Sequence, residues 1–314
     1  MFRGTGMDVG IFGASGSVGK ELLRLIDAKE PKWRVKLLNP RDAELSEGEM
    51  KQCQLIFFCT PADISQKWID LCLETKTIAI DLSSAFRRDE QVPLVVPEIN
   101  GDLLKTRPKI IASPNCVATL IALALAPILK MRKIKRLIAA TYQAASGAGQ
   151  KALDELEAST RAAAENTPFF PSHFPHPIAM NLFPHEGPQW QDGYNEEEEK
   201  IIFETRKILA LRDLPISVHC VRVPVRRAHS IFLNVELDKP LSVEQAEELL
   251  RAGKGLAFDS AITPLRASEK NAVFIGKVRQ DISCSTALEL WIVGDQLLKG
   301  AALNAFQIGE ILLT

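Results

Sequence analysis

Residues 7–19 read MDVGIFGASGSVG, an apolar stretch that runs into a glycine-rich turn. The stretch predicts a short buried strand, and the residues after the turn predict an amphipathic helix carrying Leu22, Leu23 and Ile26. A strand, a glycine turn and a helix open a βαβ unit. Further apolar strands are predicted at Val35–Leu38, Leu55–Cys59, Ile78–Ile80 and Ile110–Ala112. Their alternation with helical stretches such as 64–74 indicates an α/β fold with a doubly wound, mostly parallel sheet.

Glycines recur at every third position of this stretch, at Gly10, Gly13, Gly16 and Gly19. Glycine permits a tight turn and a close approach of the backbone to a pyrophosphate at a helix N-terminus. The pattern in this context therefore favours a dinucleotide site over a purely structural turn. After the second strand, an acidic residue suits the ribose hydroxyls of NAD and a cation suits the phosphate of NADP. Because Arg41 stands there beside Asp42, the sequence favours NADP and leaves NAD possible.

The composition is that of an ordinary globular chain with about two domains. Of its 314 residues, 46% are hydrophobic and 25% are charged, and the formal net charge is -1. No long-range field therefore favours nucleic acid or an anionic membrane. The longest mainly apolar run, 117–129, is shorter than the roughly 20 residues of a membrane span, and residues 1–6 lack the apolar stretch of a secretory signal. We expect a cytoplasmic protein with no nucleic-acid or membrane partner, and no disulfide framework, since the six cysteines are scattered.

The pattern of predicted helices and strands changes after about residue 115, which predicts a domain boundary there. Longer helices and alternating strands follow, notably Ser217–Val225 and Ser230–Leu237. Between them, residues 168–195 hold six of the 18 prolines, which predicts an ordered but irregular excursion. The tail from Gln296 to Leu313 has helical apolar spacing and is expected to pack on a core.

Cys116 follows the helix-start signal Ser113-Pro114-Asn115 and stands at the head of the apolar helix 117–129. A thiol in the first turn of a helix is exposed to unpaired backbone N–H groups and to the positive end of the helix dipole, which stabilise the thiolate. On this placement alone, a reactive cysteine and a buried structural cysteine both remain open.

A thiolate needs a proton partner, and His229 is the histidine best placed to be one. It begins a strand whose same-parity residues, Ile231, Leu233 and Val235, are expected to face a core, although a structural histidine is the default there. The other histidines include a cluster, His173, His176 and His185, that is interrupted by prolines and joined by no cysteine. We therefore predict no metal site.

Six blocks of residues carry a resemblance to a known family over nearly the whole chain. They are GIFGASG at 10–16, SPNC at 113–116, TYQAASGAG at 141–149, NLFPH at 181–185, Arg222 with His229 and Ser230, and KGAALNA at 299–305. In this order they resemble the aspartate-semialdehyde dehydrogenase family. The resemblance implies a Rossmann-type dinucleotide-binding domain at 1–115 and an α+β catalytic and dimerisation domain at 116–295. The whole resembles glyceraldehyde-3-phosphate dehydrogenase, with the C-terminal helix 296–314 returning to the first domain.

The resemblance implies a reaction through a cysteine thioester. Cys116 is then the nucleophile that adds to aspartate semialdehyde, His229 the acid/base group and Gln143 the residue that orients the intermediate. Hydride passes to NADP, and phosphate releases β-aspartyl phosphate; biosynthesis of lysine, threonine and methionine runs the same steps in reverse. The family also implies a homodimer or homotetramer built through the second domain.

The resemblance also assigns residues to the charged groups of the substrate and to the cofactor. Arg222 matches the clamp for the carboxylate and Glu197 the partner of the amino group, whereas Glu196, Glu198 and Glu199 are expected to be a solvated helix start. Lys200 and Arg87 match the phosphate-binding cations, and Asn115 is counted with the substrate-binding residues. The cofactor positions are Gly10, Gly13, Ala14, Ser15, Gly16, Ser17, Val18, Arg41, Ser146, Gly147 and Gln296.

Three positions depart from the family pattern. Ser113 and Gln296 each replace a usual asparagine, and Arg41 matches the family's phosphate-binding arginine only across a gap of one residue. Two alternatives remain, N-acetyl-glutamyl-phosphate reductase and a catalytically silent nucleotide-binding paralogue. The first usually has a glycine before its cysteine, where this chain has Asn115. The retention of Cys116, Gln143, Arg222 and His229 argues against the second.

Overall fold

The structure, a computed structural model, describes residues 6–185, 187 and 192–313. The chain divides into two compact units. One runs to Asn115 and includes the residues from Ala301 onward, and the other is Cys116–Gly300. None of the helices in the described residues is long and apolar enough to cross a membrane.

The first unit is built on a five-stranded parallel sheet. Its strands are β1 (Met7–Phe12), β2 (Trp33–Leu38), β3 (Leu55–Phe58), β4 (Ile78–Asp81) and β5 (Ile110–Ala112), in the order β2-β1-β3-β4-β5. All neighbouring pairs are parallel, which confirms the predicted doubly wound sheet. The central strands β3 and β4 are buried along their whole length, as strands covered on both faces must be.

Helices connect these strands, and the C-terminal helix joins the same unit. The helices are α1 (Ser17–Lys29), α2 (Ala43–Met50), α3 (Ala62–Leu73), the short α4 (Pro97–Asn100) and α10 (Leu303–Leu313). Asn304 in α10 donates from Nδ2 to the carbonyl of Val95 over 2.9 Å and to Ser113 Oγ over 3.1 Å. The expected return of the C-terminal helix to the first domain is confirmed. Its helical segment begins at Leu298, with one π-helical turn before α10, and not at Gln296.

The second unit contains a seven-stranded mixed sheet. Its strands are β6 (Ile134–Gln143), β7 (Phe183–Pro184), β8 (Ile216–Arg222), β9 (His229–Leu237), β10 (Leu256–Phe258), β11 (Val273–Gln280) and β12 (Ala287–Gly294), in the order β10-β11-β12-β9-β6-β8-β7. β6 is parallel to β8 and antiparallel to β9. The predicted second-domain strands are thus present, and β8 ends three residues earlier than expected, at Arg222.

The helices of the second unit include an apolar one that begins at the predicted nucleophile. They are α5 (Cys116–Leu129), α6 (Gln150–Ala164), α7 (Glu196–Ile208), α8 (Val243–Arg251) and the short α9 (Pro264–Ala267). Eleven of the 14 residues of α5 are buried, so it is a core helix rather than an amphipathic one.

The proline-rich excursion is irregular, as predicted, apart from the two residues of β7 in its described part. It is fixed by Glu155, a buried carboxylate on α6. Glu155 accepts backbone N–H groups from Ser172 at 2.8 Å, His173 at 2.5 Å and Phe174 at 3.0 Å. One carboxylate therefore orders a segment whose prolines cannot supply helical hydrogen bonds.

Candidate active site

Two glycines at the turn after β1, Gly13 and Gly19, have no room for a side chain. Gly13 has φ +77°, in the left-handed region, and a Cβ there would overlap the carbonyl oxygen of Cys59. A Cβ on Gly19 would overlap the carbonyl oxygen of Gly13. Glycine is therefore required at both positions, for the tight turn and for the close approach of α1 to it.

The N-terminus of α1 is suited to an anion. Its N-cap is Gly16, whose position supplies no side-chain cap, and its first turn holds no acidic residue. The backbone N–H groups at a helix N-terminus and the positive end of the helix dipole favour an anion there. The residues of this turn fit the pyrophosphate of a dinucleotide, in keeping with the predicted positions 13–18. Gly10 instead lies inside β1, where a Cβ would come within 2.7 Å of Leu38.

Arg41 lies between β2 and α2 and is exposed. The neighbouring Asp42 left the choice between NADP and NAD open in the sequence. In the structure Asp42 is the N-cap of α2, and it accepts the N–H of Leu45 at 3.4 Å. An acidic residue at a helix N-cap is stabilised by the helix dipole and needs no ligand to explain it. Arg41 is a charged residue at this edge of the sheet that helix capping does not explain.

Arg87 and Asn115 follow β4 and β5, at the same carboxyl edge of the parallel sheet as the glycine turn and Arg41. Arg87 is mostly buried, and its Nη2 donates to the carbonyl of Leu82 over 2.8 Å. Asn115 is 7% exposed. Ligands of open α/β sheets bind at this edge, so the first unit presents all its predicted site residues except Gly10 where a ligand is expected.

In the second unit, Cys116 is the first residue of α5, as predicted. It packs against the π-helical turn at Leu298–Ala302: a Cβ on Gly300 would come within 2.7 Å of Cys116 Cβ. π-Helical turns are rare and occur mostly at functional sites. Here the turn lets the chain approach the cysteine closely enough that only glycine fits.

Three of the predicted side chains lie on one face of the mixed sheet. Gln143 in β6 pairs with Arg222 in β8. Thr141 pairs with Ile231 in β9, which places His229, two residues earlier, on the face shared by Thr141 and Gln143. Their side chains are buried, with exposures of 2%, 6% and 0% for Gln143, Arg222 and His229. Three strands therefore deliver an amide, a guanidinium and an imidazole to the same side.

Arg222 is held by backbone and ring contacts. Its Nη1 donates to the carbonyl of Ala144 over 2.6 Å, and its guanidinium lies 5.7 Å from the ring centre of Phe174. Burial lowers the pKa of Arg222, while the negative charge of Glu197 and the Cys116 thiolate both act to raise it. Arginine remains protonated under such conditions, so a fixed cation faces Glu197 and Cys116.

His229 is a neutral imidazole in this site. The backbone N–H of Ala144 donates to its Nδ1 over 3.0 Å, and Nε2 has no hydrogen-bond partner among the described residues. Burial, and then the positive charge of Arg222, hold the pKa of His229 well below its usual value. A Cβ on Gly147 would lie 3.1 Å from Cε1 and 3.2 Å from Nε2 of this ring. Gly147 therefore lies against His229, in addition to its predicted place beside a cofactor.

The acidic start of α7 differs from the prediction in one residue. Glu198 was expected to be solvated, but it is 4% exposed. It forms a capping box with Asn195, and its Oε1 accepts the backbone N–H of Cys220 over 2.9 Å. The S/T/D/N-x-x-E pattern at Asn195 was the available signal for this box. Glu198 thereby fixes the N-terminus of α7 to β8.

The fixed start of α7 positions the predicted Glu197 and Lys200. Glu197 Oε1 lies 3.5 Å from Gln143 Nε2. Lys200 forms an ion pair with Glu196 over 2.7 Å and is partly exposed. The structure therefore places Glu197 beside Gln143 and Arg222. Lys200 instead pairs with Glu196 of the same helix.

Gln296 is hydrogen-bonded to the protein at both ends of its amide. Its Oε1 accepts the N–H of Ala228 over 2.9 Å, and its Nε2 donates to Ser146 Oγ. The preceding residue, Asp295, is completely buried and accepts from Arg227 Nε over 2.6 Å. These bonds tie the strand that begins at His229 to the turn after β12. Sequence patterns did not indicate Asp295 as a site residue, because its partners are distant in the chain.

The comparisons with known proteins agree with this architecture. Residues 38–107 match the family "Semialdehyde dehydrogenase, NAD binding domain" and residues 125–299 match "Semialdehyde dehydrogenase, dimerisation domain". An aspartate-semialdehyde dehydrogenase of Synechocystis sp. is 40% identical, with 97% of each chain covered. That of Aquifex aeolicus is 35% identical, with 98% of each covered. The chain belongs to the aspartate-semialdehyde dehydrogenase family.

Solved structures of the family share its fold. The crystal structure of aspartate semialdehyde dehydrogenase II from Vibrio cholerae is 34% identical and superposes with a TM-score of 0.93, covering 98% of this chain and 99% of that one. A second structure of the Vibrio enzyme, complexed with ASA, is 33% identical, also with a TM-score of 0.93 and 99% of each chain covered. As a family member the chain is a dehydrogenase with an NAD-binding domain and a dimerisation domain.

Proposed function

We propose that the protein is an NADP-dependent, phosphorylating aspartate-semialdehyde dehydrogenase. The observation that carries the proposal is the grouping of Arg222 with Glu197, Cys116 and His229 on one face of the second unit. A substrate with a carboxylate, an ammonium and an aldehyde needs a cation, an anion and a nucleophile within a few ångströms of one another. This chain has a net charge of only -1, so these local charges must provide the recognition.

In the proposed reaction, the Cys116 thiolate adds to the aldehyde carbon. The new C–S bond places the negative charge on the former carbonyl oxygen. His229 Nε2–H, the donor form of the neutral ring, hydrogen-bonds to that oxygen, and Gln143 orients the adduct. Bound NADP supplies a hydride acceptor, and loss of hydride from the adduct leaves a thioester on Cys116.

Phosphate completes the proposed turnover. A phosphate oxygen attacks the thioester carbon, the C–S bond breaks, and the products are β-aspartyl phosphate and the Cys116 thiolate. We assign phosphate binding to Arg87 and Lys200. Asn115, which precedes Cys116 in the chain, is assigned to substrate binding. Biosynthetic flux consumes NADPH and runs these steps in the opposite direction.

The acidic partner Glu197 favours a free amino acid over an acetylated one. An ammonium group compensates the charge of Glu197, whereas an acetamide leaves a carboxylate without a cation. We therefore favour aspartate semialdehyde over the substrate of N-acetyl-glutamyl-phosphate reductase. The expected result is turnover of the first aldehyde and none of the N-acetylated aldehyde.

The assay for this function is NADPH formation from aspartate semialdehyde, phosphate and NADP. Cys116→Ala should abolish it and should also abolish the acyl adduct seen by mass spectrometry of quenched enzyme. Cys284→Ser is the matched control, because Cys284 lies in the turn between β11 and β12 and is expected to retain full activity. Full activity of Cys116→Ala, or an adduct on another residue, would contradict the proposed function.

We also propose a homodimer through the uncovered face of the mixed sheet. That face carries apolar side chains in water: Ile138 and Tyr142 in β6 are 37% and 36% exposed, and Tyr142 contacts Trp291 in β12. Exposed apolar patches of this kind mark interfaces. Ile138→Glu should convert a dimer to monomers in analytical ultracentrifugation, and an unchanged sedimentation coefficient would contradict the proposal.

A further inference from the structure

We propose that His185 is a further substrate-binding residue, whose Nε2–H donates a hydrogen bond to the substrate carboxylate beside Arg222. The inference rests on the proposed function and adds a specificity-determining residue to the same site. It was not among the predicted site residues, although His185 closes the NLFPH block of the sequence.

The backbone places the His185 side chain on the face of Arg222. β7 pairs with β8 so that Phe183 is opposite Arg222 and Pro184 opposite Val221. The pairing continues one residue further, because the N–H of His185 donates to the carbonyl of Cys220 over 2.8 Å. Residues opposite each other in an antiparallel pair point to the same side, so His185 shares the face of Cys220 and Arg222.

The backbone of His185 is also fixed from the helix side. Asn195, the N-cap of α7, donates from Nδ2 to the carbonyl of His185 over 2.9 Å. The same helix start carries Glu197. His185 is thus held at both its N–H and its C=O, and its ring position is set by the strand and the helix that present Arg222 and Glu197.

The ring has a buried polar atom that the protein does not satisfy. His185 Nε2 is buried and has no hydrogen-bond partner among the described residues. Burial lowers the pKa of His185 to about 4; the positive charge of Arg222 acts in the same direction, and Glu197 opposes it. The ring is therefore neutral at neutral pH and offers one N–H donor. A buried polar atom without a partner costs free energy, which a ligand acceptor recovers on binding.

The carboxylate is the substrate group that needs this donor. A carboxylate accepts about four hydrogen bonds. Arg222 cannot supply them all, because its Nη1 already donates to the carbonyls of Ala144 over 2.6 Å and Gln143 over 3.4 Å. A neutral imidazole adds a donor without adding a second positive charge beside Arg222. The ammonium has Glu197 as its counter-charge and needs no further partner from this ring.

The first experiment compares steady-state constants of the full-length enzyme. His185→Phe keeps a planar ring and removes the donor, and should raise the KM for aspartate semialdehyde by about 10-fold or more. The kcat and the KM values for phosphate and NADP should change by less than about threefold. His185→Gln restores an N–H donor and should recover part of the KM. Arg212→Gln, at an exposed position in the loop between α7 and β8, is the control and should leave all constants unchanged.

A second experiment uses ligand binding and does not depend on turnover. L-Aspartate carries the carboxylates and the ammonium, whereas succinate lacks the ammonium. His185→Phe should weaken the binding of both probes by the same factor in calorimetric titration. A loss confined to L-aspartate would assign His185 to the ammonium and overturn the proposal.

The outcomes separate this inference from the proposed function. If the wild-type protein fails to oxidise aspartate semialdehyde but its binding of both probes depends on His185, the function falls and the binding residue stands. If the wild type is active and His185→Phe changes neither KM nor probe binding, the inference falls alone. A fall in kcat with a lower melting temperature, no KM change and no rescue by glutamine would show a structural role and also overturn it.

Discussion

The backbone N–H of Ala144 donates a hydrogen bond to Nδ1 of His229 over 3.0 Å. A nitrogen that accepts a hydrogen bond carries no proton, so the neutral ring has its proton on Nε2. Nε2 is the atom without a partner among the described residues, and Gly147 lies against it. The fold therefore sets the tautomer of the predicted acid/base residue and leaves Nε2–H as the donor that we propose for the substrate oxygen.

This tautomer is directly measurable. In a two-bond proton–nitrogen NMR spectrum at neutral pH, His229 should show an unprotonated Nδ1 and a protonated Nε2. Comparison with the spectrum of His229→Gln assigns the signals. The opposite tautomer, or a ring that is charged at neutral pH, would contradict the hydrogen bond from Ala144.

Gly147→Ala is expected to impair catalysis without unfolding the protein. The new methyl group would lie 3.1 Å from Cε1 and 3.2 Å from Nε2 of His229, which is closer than ordinary contact, so the ring must shift. Small displacements of catalytic groups cost up to about 100-fold in rate, and we expect a kcat about 10- to 100-fold lower. Gly48→Ala is the control: it lies in α2 with open space around it, and kcat should not change. Equal kcat values for both variants would disprove the close approach.

Gly300→Ala is expected to disturb the nucleophile itself. Its Cβ would come within 2.7 Å of Cys116 Cβ, so either α5 or the π-helical turn must move. Overpacking of this kind typically costs about 1 to 3 kcal/mol of stability. The rate of Cys116 alkylation by iodoacetamide should fall about 10-fold, with Cys116→Ala defining the background from the other thiols. Retention of both the alkylation rate and the melting temperature would show that the turn does not position Cys116.

Arg41→Ala tests the cofactor preference. Because Asp42 serves as a helix cap, Arg41 is the cation we assign to the NADP phosphate. Loss of a charge-assisted contact should raise the KM for NADP about 10-fold or more and leave the KM for NAD nearly unchanged. Lys51→Ala, at the other end of α2, controls for general surface charge. Parallel changes for the two cofactors would assign the phosphate to another residue.

The half-buried His185 and the buried His229 make stability fall in mild acid. The folded pKa of His185 is about 4, below the usual 6.5, and that of His229 is lowered in the same direction. Between the folded and the unfolded pKa, the unfolded chain binds more protons than the folded one. The contribution of the neutral histidines to the free energy of unfolding is therefore fully present above about pH 6.5 and is lost as the pH falls toward 4. For His185 the loss is at most about 3 kcal/mol. Urea unfolding at about pH 7 and pH 5 should show a smaller loss in His185→Gln than in the wild type.

Local patterns in the sequence were sufficient to predict the strands of the first unit and the elements that carry Cys116, Arg222 and His229. The strand, glycine turn and helix around Gly13 depend on residues close in the chain, and all five predicted strands are present. The start of α5 at Cys116 followed from Ser113-Pro114-Asn115 for the same reason. The strands that bear Arg222 and His229 were also visible from their alternation.

The parts that the sequence did not reveal depend on distant contacts. Glu198 stands in an acidic run, and only its contact with Cys220 explains why it is buried. The partners of Gln296 are Ala228 and Ser146, far away in sequence, so its replacement of the family asparagine had no local interpretation. His185 lies in the proline-rich segment, and the role that we propose for it depends on a strand pairing that periodicity does not predict.

The packing of Gly300 against Cys116 also concerns how the protein is made. Residue 300 is synthesised 184 residues after Cys116. Until residue 300 has been added, the thiol lacks the backbone against which it packs. A chain that stops before residue 300 therefore has an incomplete nucleophile site, and the reactive cysteine is assembled only after the whole second unit has been translated.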